Sequence, residues 1–335
     1  MPTTPRRFLG YEQSRGVPNI VVDGSPNEAT VLTLTHWPGQ PQPPGTDVDT
    51  SAEMVFAHLD DPTGHQPADV VTNNHFDQDG AVGLFALTDP AAALDERERL
   101  VDLAAAGDFG TYRYREAARA SMILSAFADP LRSPLSEDLT GDPATDTAYL
   151  YQSVLPRLVE MVTDPLGYED LWAAEDEVLS ASEEAIDDGR VRITEYVDLD
   201  LAVIEIDSTE PERRGHRFGH LYGGPIHPMA VHNATERTRL LMVHGNRFSY
   251  VDRYETWVQF HTRTPPFRVD LGPLAEALNR AESGSATWEA KPPSALTPVL
   301  DHDHDSSLGI DAVVAAVRHH LRTAPPAWDP FPSGH

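Results

Sequence analysis

The 335-residue chain has no cysteine. Disulfides and thiolate metal sites are therefore excluded, and any metal must be held by His, Asp, Glu or Asn. Lysine is nearly absent too: Lys291 is the single one, and Arg supplies the other permanent cations. With 53 acidic residues against 25 Lys and Arg, the net charge is −28. A surface this acidic lacks the basic footprint that duplex nucleic acid demands, so no duplex partner is expected. It suits a small phosphorylated substrate or a short oligonucleotide, gripped by arginines gathered in one place. No apolar run approaches the ~20 residues of a membrane helix, so no membrane partner is expected. The opening MPTTPRRFLGYEQ carries two Arg with no apolar core behind them, unlike a secretory leader. A cytoplasmic location is the default expectation, and a homodimer is left open.

Apolar residues make up 40% of the chain, enough for a globular protein with two cores. In the first half, short apolar runs alternate with helical patterns. Asn19 to Val22 and Ala29 to Thr35 read as strands, the first ending on Asp23-Gly24 and the second on His36-Trp37-Pro38-Gly39. Thr50-x-x-Glu53 is a capping box that opens a helix with Ala52, Val55, Phe56 and Leu59 on one face. A third strand, about Asp69 to Thr72, runs into Asn73-Asn74-His75-Phe76-Asp77-Gln78-Asp79-Gly80, and a helix follows to Leu87. Further helices are expected at Asp95 to Ala106 and Tyr112 to Phe127. The alternation predicts an α/β fold with a mainly parallel sheet flanked by helices.

From Arg190 the pattern changes to longer strands, VRITEYVDLDLAVIEI, RLLMVHG and RFSYVDRYETWVQF, with helices at LGPLAEALNRAE and about Asp311 to Leu321. This predicts a second, smaller α+β domain. The expected division is 1–145 for the α/β metal-site domain, 146–189 for a helical connector and 190–335 for an α+β substrate domain.

Strand-to-helix turns of a parallel sheet lie along one edge, where such folds bind ligands. The ends of the apolar strands in the first half are expected to carry Asp23, His36, the group Asn73, His75, Asp77 and Asp79, and then Asp108. Two Asp and a His within five residues repel unless a positive charge sits among them. Carboxylates with imidazole and no thiolate form a ligand set for hard and borderline divalent cations. Two such ions ~3.5–4 Å apart need several carboxylates, at least one bridging, and their usual work is to make hydroxide and clamp a phosphoryl group.

These residues resemble the DHH phosphoesterases over roughly residues 19–128. That family has a strand-end His-x-x-x-Asp-x-Asp-x-x-Gly segment entering a helix, and Asp77-Gln78-Asp79-Gly80-Ala81-Val82-Gly83 is similar to its second half. The family's His position falls on Asn73, and His75 stands two residues on. THWPG is similar to a reduced Asp-His-His element that keeps His36. Asp108-Phe109-Gly110-Thr111-Tyr112-Arg113-Tyr114 is similar to the family's Asp-x-Gly-x-aromatic-Arg-aromatic segment, and Asp23 to its lone strand-end Asp. The elements come in a different order from the family's, which implies a rearranged sheet. The resemblance implies a phosphoesterase with two Mn²⁺ ions, Mg²⁺ being the alternative. Asp23, His36, His75, Asp77, Asp79 and Asp108 would be the ligands, with Asp77, Asp79 and His36 at the chemistry.

Two other readings compete. Thr72 to Gly80 also aligns with the Thr-His-x-His-x-Asp-His-x-Gly segment of metallo-β-lactamase-like hydrolases, with Asn73 and Gln78 in place of two ligand His. Alternatively, the missing His residues suit a non-catalytic nucleotide-binding protein on a decayed DHH-like fold. In the second half, Glu212 to Arg239 is the most basic stretch, with Arg213, Arg214, Arg217, Arg237 and Arg239. Arg forks suit phosphate oxygens. Arg237, Arg239 and His227, together with Arg113, are the expected substrate contacts. His227 and His232 lie five apart on an expected strand, which points them to opposite faces.

Overall fold

A computed structural model describes residues 4–40, 47–61, 68–207, 209 and 225–331. The chain divides into two compact units. One is Met1–Asp176 with the short return Phe260–Thr262, and the other is Glu177–Gln259 with Arg263–Phe331. The stretch 146–176, expected as a connector, belongs to the first unit.

The first unit is built on four strands, β1 (Arg7–Phe8), β2 (Asn19–Val22), β3 (Thr30–Leu34) and β4 (Val70–Thr72), in the order β1-β4-β2-β3. All three pairings are parallel, as the strand–helix alternation predicts. Ile20, Val21, Val22 and Val71 are fully buried, so the central strands read as continuous apolar runs rather than alternating ones. The helices are α1 (Tyr11–Ser14), α2 (Ser51–Asp60), α3 (Gln78–Thr88), α4 (Pro90–Asp95), α5 (Arg97–Asp108), α6 (Arg115–Ala128), α7 (Pro143–Val154), α8 (Leu158–Thr163) and α9 (Glu169–Asp187).

The capping box that opens α2 is present: Thr50 accepts from the Glu53 amide, and Glu53 accepts from the Thr50 amide at 3.0 Å. α3 lies hard against β2. A Cβ added at Gly83 would stand 2.4 Å from Val22 Cγ1, so only glycine permits this approach. One expectation is corrected here. α5 does not stop before Gly107 but runs on through Asp108, so Asp108 stands in the last turn of a helix and not at a strand end. Gly107 is buried against Gln78 at that point, and the close packing sustains the extra turn.

The second unit has strands β5 (Val191–Tyr196), β6 (Leu201–Ile206), β7 (Arg239–His244), β8 (Arg247–Asp252), β9 (Arg268–Val269), β10 (Trp288–Ala290), β11 (Val299–His302) and β12 (Pro326–Trp328). Its helices are α10 (Pro228–Ala234), α11 (Gly272–Ala281) and α12 (Ile310–Thr323). Six strands form one sheet in the order β10-β11-β8-β7-β6-β5, antiparallel except for β6–β7, and β12 pairs with β9. Leu201 and Val203 pack on one face with Leu274, Leu278, Val313 and Val317, while Ala202 and Ile204 pack on the other with Ala185 and Val231. The protein is thus α/β, with a parallel sheet in one unit and a mixed sheet in the other.

VRITEYVDLDLAVIEI is two antiparallel strands and not one. A short 3-10 turn at Val197–Leu199 and the left-handed Asp200 (φ 49°) reverse the chain. His232 sits on α10 rather than on a strand, because Pro228 at the first helical turn starts a helix. Among the described residues no helix is long and apolar enough to cross a membrane.

Arg268 is the largest fully buried side chain of the chain. Its guanidinium donates to Thr256 Oγ1 at 2.6 Å and to the carbonyls of Pro293, Ala295 and Leu296 at 2.8, 2.5 and 2.7 Å. Burial draws it down to about 10, opposed by the charges of Asp252, Tyr250 and Tyr254.

Candidate metal centre

In parallel strands the C-terminal ends lie side by side. Register pairs Val21 with Thr72 and Val22 with Leu34, so the residues just past β4, β2 and β3 are neighbours. Those residues are Asn73 to Asp79, Asp23 and His36. Asp23 is left-handed (φ 46°), a conformation that costs a non-glycine residue about 1 kcal/mol. Its amide still donates to Leu34 O at 2.8 Å, so the turn bends away only after the carboxylate is placed.

Five of the six predicted ligands fall into two overlapping triads. Asp23, His36 and Asp79 form one, and Asp23, His75 and Asp77 form the other; in each, one ligand atom per residue lies within 4.8 Å of the rest. Asp23 belongs to both, so its carboxylate is placed to bridge. Asp108 joins the first triad from α5, with Oδ2 3.4 Å from His36 Nε2. His36 Nε2 also stands 3.6 Å from Asp23 Oδ1 and 3.9 Å from Asp79 Oδ2. Donors that share one ion at ~2.1 Å stand roughly 3–4 Å apart, so this spacing fits a common cation. Asp23 Oδ2 is buried and faces His75 Nε2 at 3.4 Å, the cation that offsets its desolvation in the absence of an ion.

The surrounding backbone fixes these groups. His36 Nδ1 lies 2.6 Å from Asp49 O. A carbonyl can only accept, so Nδ1 carries the proton for this bond and Nε2 is the ring atom turned to the carboxylates. Asp49 in turn accepts from the amides of His261 and Thr262 at 2.8 and 2.9 Å. Asp79 is fully buried, and its two oxygens accept the Ser51 and Ala52 amides at the start of α2, each at 2.7 Å. Ser51 Oγ donates to Asp23 Oδ1 at 2.8 Å and accepts from the His36 amide at 3.2 Å. Asp77 caps α3 through Oδ1, which takes the Gly80 amide at 2.8 Å, while Oδ2 meets His75 Nε2 at 2.8 Å.

The crowding of acids raises the proton affinity of two groups in the cluster. Burial raises Asp79 well above the usual carboxylate range, the charges of Asp23 and Asp77 raise it further, and the Ala52 and Ser51 amides oppose them. Burial alone would lower His75, but the charges and hydrogen bonds of Asp77 and Asp23 outweigh it and hold the imidazole up at about 11. A divalent ion would displace these protons, as ions do at any site whose ligands must be deprotonated.

Asn73, at the position where the resemblance places a His, is buried behind the site. It accepts the His75 amide at 2.9 Å and donates to Tyr151 Oη at 3.2 Å. His75 instead stands with Asp23 and Asp77 in one of the two triads. Gln78 turns away to α6 and donates to Ser121 O at 2.8 Å and Ser125 Oγ at 3.0 Å. Sequence reasoning passed over Ser51, Asp49 and Tyr151 as contributors. For Ser51 the signal was there, since it is the first residue after a capping-box Thr; Tyr151 carries none.

Of the expected substrate contacts, one is in the first unit and three are in the second. Arg113 is 66% exposed at its side chain, with Asp102 and the Tyr114 ring as partners. In the second unit, Arg237 is paired with Asp200 at 3.3 Å and Glu195 at 3.6 Å. Arg239 is buried and bonds to the carbonyls of Leu199 and Phe267. His227 is buried as the cap of α10, its Nδ1 accepting the Met229 amide. Arg213, Arg214 and Arg217 lie outside the described residues.

A family described as one of unknown function (DUF6687) matches residues 4–332, and the chain belongs to it. No curated protein and no solved structure matches the chain.

Proposed function

We propose that this protein is a divalent-metal-dependent phosphoesterase, with Asp23, His36, His75, Asp77, Asp79 and Asp108 as its ligands. The observation that carries the reading is the sharing of Asp23 by two His–carboxylate triads. A bridging carboxylate between two mixed O/N triads is the donor arrangement of a two-ion site. The resemblance to the DHH phosphoesterases, with Asp77-x-Asp79-Gly80 entering a helix, supports the same chemistry. Mn²⁺ suits the mixed carboxylate–imidazole set, and Mg²⁺ is the alternative. When bound, such a pair supplies Lewis acidity and a nucleophile at neutral pH.

The chain's own residues orient and neutralise. Asp49 O holds His36 in one tautomer, and the α2 amides fix Asp79 in one rotamer. The net charge of −28 favours a small phosphate ester or a short oligonucleotide over a duplex. The absence of cysteine suits a cytoplasmic setting. The metallo-β-lactamase alignment is the weaker reading, because Gln78, aligned with one of its ligand His, is bonded to α6.

The test is Mn²⁺ uptake by the metal-stripped protein, followed by hydrolysis of a panel of phosphomonoesters, dinucleotides and short single strands. Two ions per chain, with hydrolysis lost in Asp77→Ala and Asp79→Ala, is the expected result. Uptake without turnover of any phosphate ester would leave a non-catalytic nucleotide binder. A folded protein that takes up no divalent ion at micromolar concentration would overturn the proposal.

A further inference from the structure

The two triads are held by different parts of the fold. The triad of His36 and Asp79 leans on α2 and on Asp49, as described above. The triad of His75 and Asp77 leans on one side chain from α7, far along the sequence. Tyr151 is fully buried, and its Oη accepts the Asn73 side-chain N–H at 3.2 Å and the Asp77 amide at 3.4 Å. Asn73 Oδ1 then accepts the His75 amide at 2.9 Å. One oxygen therefore reaches both ligands of this triad, Asp77 directly and His75 through Asn73.

The ring is fixed as firmly as the hydroxyl. It packs edge-on against Phe8 at 5.6 Å and tilted against Phe76 at 4.9 Å, and Phe76 lies between the two ligands in sequence. The loop closes around Oη so tightly that a Cβ at Gly80 would stand 2.4 Å from it and 2.3 Å from Asn73 Nδ2. Burial and the charges of Asp77, Asp23 and Asp79 push the phenol well above its ordinary value, so it stays a neutral double acceptor. A hydroxyl that only accepts from the loop, at the back of two ligands, is placed to orient and not to react.

We infer that Tyr151 is a positioning residue that preorganises the Asp23–His75–Asp77 ion subsite through Asn73 and the Asp77 amide, and that the Asp23–His36–Asp79 subsite does not depend on it. The inference rests on the metal reading above and adds that the two subsites are separable.

Mn²⁺ binding by the full chain tests it, read by calorimetric titration and by the electron paramagnetic resonance spectrum. Wild type should take two ions with a spin-coupled spectrum. Tyr151→Phe keeps the ring and removes the acceptor. It should weaken one ion by about 10–100-fold, the usual effect of deleting a group that orients a ligand, and leave the other within about twofold. Its spectrum at one equivalent should be that of an isolated Mn²⁺. Asn73→Ala, which breaks the relay without touching the ring, should give the same split. The proposal is overturned if both variants bind two ions as wild type does. Equal weakening of both ions, the mark of a general loosening, also overturns it. Wild type that binds no ion defeats the metal reading itself and this inference with it. A wild type with two ions and unchanged variants defeats the inference alone.

Discussion

The Ser51 amide donates to Asp79 Oδ2 at 2.7 Å, and this single bond ties the start of α2 to the second position of α3. The neighbouring Ala52 amide takes the other oxygen. Asp79 is therefore both a ligand candidate and the anion on which a helix N-terminus rests.

These two roles separate by substitution. Asp79→Asn keeps one acceptor and orphans one amide, an expected loss of about 1–2 kcal/mol in the metal-free protein. Asp79→Ala orphans both and should lose about 2–4 kcal/mol. Both should abolish binding of the ion that His36 faces. Chemical denaturation of the metal-free proteins measures the first effect and Mn²⁺ titration the second. An Asp79→Asn variant that binds both ions normally would remove Asp79 from the ligand set.

Gly80 is the one position of the loop where a methyl group cannot fit. Gly80→Ala would place a carbon 2.3 Å from Asn73 Nδ2 and 2.4 Å from Tyr151 Oη, both immobile and buried. The expected cost is about 2–4 kcal/mol, at the upper end for an overpacked site. The melting temperature of the metal-free protein reads it, and a shift under about 2 °C would mean that the loop relaxes.

Arg268 in the second unit holds three carbonyls and a hydroxyl through one buried guanidinium. Arg268→Met has similar length and no donors. It should destabilise by about 3–5 kcal/mol, because buried acceptors lose their donor and Asp252 keeps only Arg239 of its two cations. Urea unfolding followed by tryptophan fluorescence is suitable, since Trp257 and Trp288 belong to the same unit. Wild-type stability in this variant would mean that water replaces the guanidinium.

Glu282 gives a pH signature far from the metal cluster. Burial would raise it, but hydrogen bonds from Ser306, Ser307 and the Trp288 indole lower it to about 2. The folded value lies below the unfolded one of ~4.3. Its contribution is therefore fully present above that value and is lost as the pH falls from there towards 2. Glu282→Gln should melt below wild type at pH 7, and the gap should close by about pH 2. A gap that does not change with pH would mean that the charge is irrelevant.

Much of this was legible in the sequence. The β-branched runs ending on Asp23 and His36 specified buried parallel strands, and their alternation with helices placed both residues on one edge with His75, Asp77 and Asp79. The capping box at Thr50 and Glu53 set the start of α2 to the residue. Asp108 was found, but its setting was not. Gly107-Asp108-Phe109-Gly110 reads as a helix stop, yet the helix continues through Gly107, which lies against Gln78 too closely for a side chain. Arg239 and His227 illustrate the converse. A basic stretch shows in composition, whereas the carbonyls of Leu199 and Phe267 that absorb Arg239 are set by chain reversals no local pattern encodes. Tyr151 could not be read at all, because its place depends on the return of α7 to β4 over more than seventy residues.

The strand order also governs when the centre can come into being. No two of β2, β3 and β4 form a hairpin; every pairing is parallel and waits for a crossover. Asp23 and Asp108 enter the growing chain 85 residues apart (108 − 23), and Tyr151 arrives later still. A nascent fragment thus has no local cage to offer, and an ion cannot template the early collapse. Such non-local closure is slow relative to helix formation. If the proposed ions bind, loading follows folding, and the metal-free fold must hold together on its own until then.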